Sequence, residues 1–184
     1  MPLFHFSENP NIEKFVPRPP LRHPDAEARV WAIDAWHAPL YYFPSDCPRV
    51  CFWPLPTTTA EDMRQYWTDE SNRMVVAIEH AWAGRLQNVP IYRYEFAEEG
   101  FVDCQDHGVF VSEETVTPLS VTPVGPCLKA LAEATVELRL CPSLVKLGKR
   151  MMETSLHWSL IRMAHAQGWD RATGKPTLPK TLNP

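Results

Sequence analysis

The sequence contains no apolar run of roughly 18 residues, so no segment is expected to span a membrane. Its N-terminus lacks a basic stretch followed by an apolar one, which argues against a secretory signal and for a cytoplasmic protein. Glycine is scarce, 7 in 184 residues. There is no G-x-G-x-x-G and no Walker loop, which removes the standard glycine-rich phosphate cradles. H-E-x-x-H and G-x-S-x-G are also absent, so neither the zinc-protease helix nor the serine-hydrolase elbow is present. Basic residues are not in excess: 18 Lys and Arg stand against 22 Asp and Glu, for a net charge of −4. That balance does not indicate a nucleic-acid footprint, although a local basic patch stays open. The five cysteines are an odd number, the mark of free thiols in a reducing compartment. Cys47 and Cys51 flank Pro-Arg-Val and have no nearby second pair, so no metal is expected.

Proline is abundant, 19 residues, about twice the usual share. Proline ends helices and avoids central strands, so many short elements joined by stiff connections are expected. Aromatics are rich as well, with 7 Trp, 8 Phe and 5 Tyr. The length suits one domain, taken as residues 1–169, followed by a polar, proline-rich tail over 170–184.

Short strands are expected at Leu3–Ser7, Val30–Asp34, Arg49–Trp53, Ile91–Phe96, Gly108–Ser112 and Leu119–Val124. Ile12 to Val16 reads as a helical turn. Thr59 is placed to cap a helix, with Asp62 in the capping-box position. Val75, Ile78, Trp82 and Leu86 share a helical face, which predicts a helix over about 71–86. Leu128, Leu131 and Leu138 predict another, and Ser143 a cap for a third. Residues 155–166 fit strand or helix. Strands dominate the first part and shorter helices follow, an α+β order rather than a βαβ one.

Five groups of residues stand out. In the first strand His5 and Ser7 share a face, opposite Phe4 and Phe6. They are either a satisfied core histidine with a strand-end serine, or a cleft wall offering hydrogen bonds to a ligand hydroxyl. Tyr41-Tyr42-Phe43 either fills a sheet face or supplies one ring to stack on a planar ligand. If that run is extended, only one tyrosine faces the site, and Tyr42, beside the Phe43-Pro44 break, is favoured. Glu113-Glu114 is either a solvated acidic turn or the source of one carboxylate that stabilises positive charge. Arg18, Arg22 and His23 lie among prolines, in either a solvated loop or a stiff one suited to an anion. His157 and Arg162 read as structural.

Taken in order, Leu3-Phe4-His5-Phe6-Ser7, the Tyr-Tyr-Phe run and the late Glu resemble the histidine–tyrosine–glutamate pattern of the ADP-ribosyltransferase superfamily. The first strand is also similar to that of its RNA 2′-phosphotransferase relatives. The chain to about Trp169 further resembles an uncharacterised family of small bacterial proteins. That likeness rests on the segments Pro17 to Pro24, Asp46 to Pro56 and Val111-Ser112-Glu113-Glu114. The superfamily resemblance implies a split antiparallel β-sandwich with flanking helices, binding NAD as substrate. It implies His5 on a ribose with Ser7 in support, Tyr41 or Tyr42 near the nicotinamide, Arg18, Arg22 or His23 on phosphate, and Glu113 or Glu114 as the charge-stabilising group. The activity implied is cleavage of the nicotinamide–ribose bond, with ADP-ribose passed to an acceptor or to water. Adjacent glutamates depart from the Glu-x-Glu of arginine-modifying members, and the Ser-Thr-Ser strand of that branch is missing. A non-catalytic nucleotide or small-metabolite binding protein is the alternative function, and a metal or thiol hydrolase ranks last.

Overall fold

A computed structural model of the chain describes residues 1–19 and 25–169. Arg22, His23 and the expected tail 170–184 lie outside the described residues. In chain order the elements are β1 (Leu3–Ser7), β2 (Val30–Asp34), a 3-10 helix (Ala38–Tyr41), β3 (Arg49–Trp53), α1 (Ala60–Tyr66) and β4 (Met74–Glu79). A 3-10 turn (His80–Trp82) runs into α2 (Ala83–Asn88), followed by β5 (Tyr92–Phe96), β6 (Val102–Asp103), β7 (Val109–Ser112), β8 (Ser120–Pro123) and α3 (Cys127–Glu133). The chain continues with β9 (Val136–Cys141), α4 (Val145–Met151), β10 (His157–Ile161) and a last 3-10 turn (Met163–His165). The fold is mixed α+β, with two sheets and four short helices among the described residues. The described residues form two compact units, one within Met1–Ser45 with Asn88–Ala130, the other from Asp46–Gln87 with 131–169.

The first unit is built on a six-stranded antiparallel sheet in the order β6-β7-β2-β1-β5-β8. Strand alternation gives β1 two different faces. Leu3 packs with Val30, Ala32, Tyr94, Phe96, Phe110 and Phe15 on one side. Phe4 packs with Ile33 and Ala38 on the other, joined by Phe6, Tyr41, Tyr42 and Val109. The segment after β1 is extended, not the helical turn expected over 12–16. Tertiary partners hold it open: the buried Tyr94 hydroxyl donates to Asn9 O at 2.6 Å and accepts from Ile12 N–H at 3.1 Å. Phe15 and Val116 then exchange both backbone bonds, at 2.8 and 2.9 Å. These contacts take the donors and acceptors that a helical turn would need.

Residues 38–41 form a 3-10 helix, so Tyr41 and Tyr42 do not alternate across an extended run, and both reach Phe6. Two local causes are visible. His37 N–H donates to Asp34 Oδ1 at 2.7 Å, turning the chain as it leaves β2. Pro39 then sits in the first turn, where its fixed φ suits a helix start.

The second unit holds the sheet β10-β3-β4-β9. The β4–β9 pair is parallel, so this sheet is mixed and not wholly antiparallel as expected. The predicted helix over 71–86 is replaced by β4 and a short α2. All six residues of β4 are buried between β3 and β9. A run such as Val75-Val76-Ala77-Ile78, apolar on both faces, suits an inner strand, and its helical spacing is incidental. Leu138 likewise lies in β9, because α3 ends at Glu133 and Thr135 turns the chain with φ 55°. The ambiguous 155–166 segment supplies β10. Thr59 caps α1 as expected, accepting from Asp62 N–H at 3.2 Å. Asp62 Oδ2 also accepts from Ser155 N–H at 2.8 Å and from its hydroxyl at 2.5 Å, which fixes the entry to β10. Ser143 is not the cap residue of α4; Leu144 holds that position, although Val145 N–H reaches the Ser143 hydroxyl at 3.3 Å. Val50, Phe52, Val75 and Ala77 pack with Leu144, Met151 and Leu156 in the core. Burying a large apolar side chain there stabilises the fold by about 1.5–3 kcal/mol.

Candidate functional site

The first unit carries the sequence-predicted site residues that fall among the described ones. His5 lies on the face of the six-stranded sheet that also holds Phe96 and Phe15. Its ring centroid is 4.8 Å from that of Phe15 and 6.4 Å from that of Phe96. Its Nδ1 is 2.9 Å from the Trp31 carbonyl oxygen. A carbonyl only accepts, so Nδ1 carries the proton and the neutral ring presents Nε2 as an acceptor. Burial pushes the imidazole below its usual range, the Trp31 bond opposes this, and the positive charge of Arg18 adds to it. His5 is therefore neutral near pH 7.

Arg18 is exposed and lies on the segment that covers this face. Its backbone exchanges hydrogen bonds with Arg29, at 3.3 and 3.2 Å. Arg29, which the sequence did not single out, pairs with Glu27, and its Nη2 is 3.9 Å from Glu113 Oε1. Glu114 donates its N–H to the Ser112 hydroxyl at 3.2 Å. Phe110 and Val116, on either side of the glutamates, both belong to the core group that includes Phe15 and Phe96. Ser7 Oγ accepts from Asn9 N–H at 3.1 Å, so it shapes the turn that starts the covering segment.

The tyrosines stand apart from His5. Tyr41 lies parallel to Phe6 with centroids 6.2 Å apart, and Tyr42 meets Phe6 edge-on at 5.4 Å. Phe6 projects from the opposite face of β1 to His5. The strand thus brings His5, Ser7 and the Arg18 segment together and places Tyr41 and Tyr42 behind them.

A second histidine is more tightly fixed than His5. His37 is buried, and its Nδ1 donates to Asp34 Oδ1 at 2.8 Å. Burial works to raise the Asp34 carboxyl, but hydrogen bonds from the His37 ring and backbone outweigh it and hold the carboxyl below its usual range. Asp-x-x-His at a strand end was the available sequence signal. What could not be read is Gly108, whose carbonyl accepts from Asp34 N–H at 2.9 Å and whose α-carbon sits against the pair.

Burial raises the thiols of Cys104, Cys127 and Cys141, which disfavours their thiolates. Burial pushes the Cys47 and Cys51 thiols up to about 12, and a protonated thiol is a poor attacking group. Among the described residues no three His, Cys, Asp or Glu side chains are grouped to hold a metal ion, and no helix is long and apolar enough to cross a membrane.

Comparison with known proteins places the chain without assigning an activity. No curated protein and no solved structure matches it. A family model described as a family of unknown function (DUF6886) matches residues 4–166. The chain belongs to that family.

Proposed function

We propose that the chain is an NAD-using enzyme of the ADP-ribosyltransferase type, with the finer fold of a split β-sandwich, and that its ligand binds on the His5 face of the first unit. The observation that carries this reading is the setting of His5: its Nδ1–H is held by the Trp31 carbonyl at 2.9 Å and its ring packs against Phe15, with the positive charge of Arg18 acting on it. Such a ring accepts a hydrogen bond from a ribose hydroxyl through Nε2, while Arg18 supplies the cation for a pyrophosphate. The ligand class is a dinucleotide, and the acceptor of ADP-ribose is a second small molecule, a protein group or water.

The charge-stabilising role goes to Glu114. The Glu113 carboxylate lies toward Arg29, 3.9 Å from its Nη2, which leaves Glu114, two residues from Val116, which packs against the core, for the ribose. As the nicotinamide–ribose bond breaks, its electron pair leaves with nicotinamide, and a carboxylate near the ribose stabilises the positive charge left behind. The free thiols are consistent with a reducing, cytoplasmic setting.

The position of Tyr41 and Tyr42 behind the sheet supports a second reading, a nucleotide-binding protein without turnover, because neither is on the His5 face, and Tyr94, the cross-strand partner of His5, is buried with its hydroxyl engaged by Asn9 and Ile12. Calorimetry with NAD, paired with an assay of released nicotinamide, separates the two. Binding with release is expected. Binding without release selects the non-catalytic protein, and no binding rejects both.

A further inference from the structure

We infer that the opposite face of the six-stranded sheet is a separate binding site for a planar heteroaromatic ring bearing one phosphate, the nucleoside monophosphate class. The starting point is Trp31. It lies on β2, an inner strand flanked by β7 and β1, yet its side chain is 45% exposed. Two residues from Ile33, it shares the face of Phe4 and Phe6. Across β1, Phe6 pairs with Arg93 of β5. The Arg93 guanidinium lies 5.0 Å over the Phe4 ring, which places it on this face too. Among the described residues Arg93 has no carboxylate within ion-pair distance, and the Trp31 indole N–H has no acceptor. Tyr41 and Tyr42 pack around Phe6 and stiffen this side of the strand.

An exposed indole on an inner strand, a phenylalanine beside it and a cation one strand further on match a flat ring with an anionic substituent. The ring stacks on Trp31 and the anion reaches Arg93. Glu95 is on the same face, two residues from Arg93, with its carboxylate accepting from Ser120 Oγ at 3.3 Å. A polyanion would meet that carboxylate, so a single phosphate is preferred to a triphosphate. The two sites share one link: the Trp31 carbonyl holds His5, while the Trp31 side chain serves the opposite face.

The test is calorimetry on the full chain with adenosine 5′-monophosphate as probe. One molecule should bind per chain. Trp31→Ala should weaken binding roughly five- to 150-fold, the range a stacked base loses on alanine substitution. Arg93→Met, and adenosine without its phosphate, should each weaken it about tenfold or more. Trp31→Phe should retain most of the affinity, and adenosine triphosphate should bind less tightly than the monophosphate. Absence of binding to the wild-type chain, or an affinity in Trp31→Ala or Arg93→Met equal to that of the wild-type chain, overturns the inference. Any NAD turnover should persist in Arg93→Met; its loss together with monophosphate binding would mean one site instead of two, and would also overturn the inference. A chain that binds the monophosphate through Trp31 and Arg93 but never releases nicotinamide fails the NAD reading alone.

Discussion

Gly108→Ala is expected to cost about 3–5 kcal/mol of stability, lowering the melting temperature by roughly 10 °C. Two effects act together. Gly108 has φ +83°, a backbone conformation that side chains rarely adopt. A Cβ there would also lie 2.2 Å from His37 Nδ1 and 2.5 Å from Asp34 Oδ2, so the buried pair would have to move. Moving it breaks charge-assisted hydrogen bonds and disturbs the turn that launches the 38–41 helix. Gly125→Ala is the control: its φ is +85° and nothing lies within 4 Å of the added carbon, so it reports the backbone effect alone, about 1 kcal/mol. Thermal or urea unfolding of the two variants checks this. Equal losses would mean that the His37–Asp34 pair yields freely to the methyl group.

Nicotinamide release should fall roughly 100- to 1,000-fold in Glu114→Gln and change only a few-fold in Glu113→Gln. The amide keeps the shape and removes the charge, so the loss reports charge stabilisation. The asymmetry follows from position. Glu113 is highly exposed and its carboxylate sits near Arg29, where an exposed pair contributes little. Glu114 is exposed as well, but the hydroxyl of the buried Ser112 accepts its N–H and holds its backbone. The kcat of each variant, with NAD affinity measured separately, decides between them. The reverse order would move the catalytic role to Glu113.

The strands Leu3–Ser7, Val30–Asp34 and Arg49–Trp53 were readable to the residue, because each is a short apolar run bounded by turn-forming or proline-containing segments. The two faces of β1 were readable from alternation alone. The Thr59 cap was readable because its partner is local. What was not readable depends on distant partners. Met74–Glu79 shows helical spacing and becomes a strand because β3 and β9 cover both its sides. Residues 12–16 stay extended because Tyr94 and Val116, far away in sequence, take their hydrogen bonds. The same limit governed the site. Strand alternation marked His5, and the aromatic run marked Tyr41 and Tyr42, as candidates, but their separation by a sheet follows from the 3-10 helix after Asp34, which brings both tyrosines onto Phe6.

The central claim, that the His5 face binds a dinucleotide, is tested most directly by nitrogen NMR of the His5 ring during an NAD titration. The free protein should show a neutral ring protonated at Nδ1, as the 2.9 Å bond to Trp31 O requires. Added NAD should shift the Nε2 resonance in a saturable way and leave Nδ1 protonated. An unchanged Nε2 at saturating NAD, or a ring already charged near pH 7, would contradict the account.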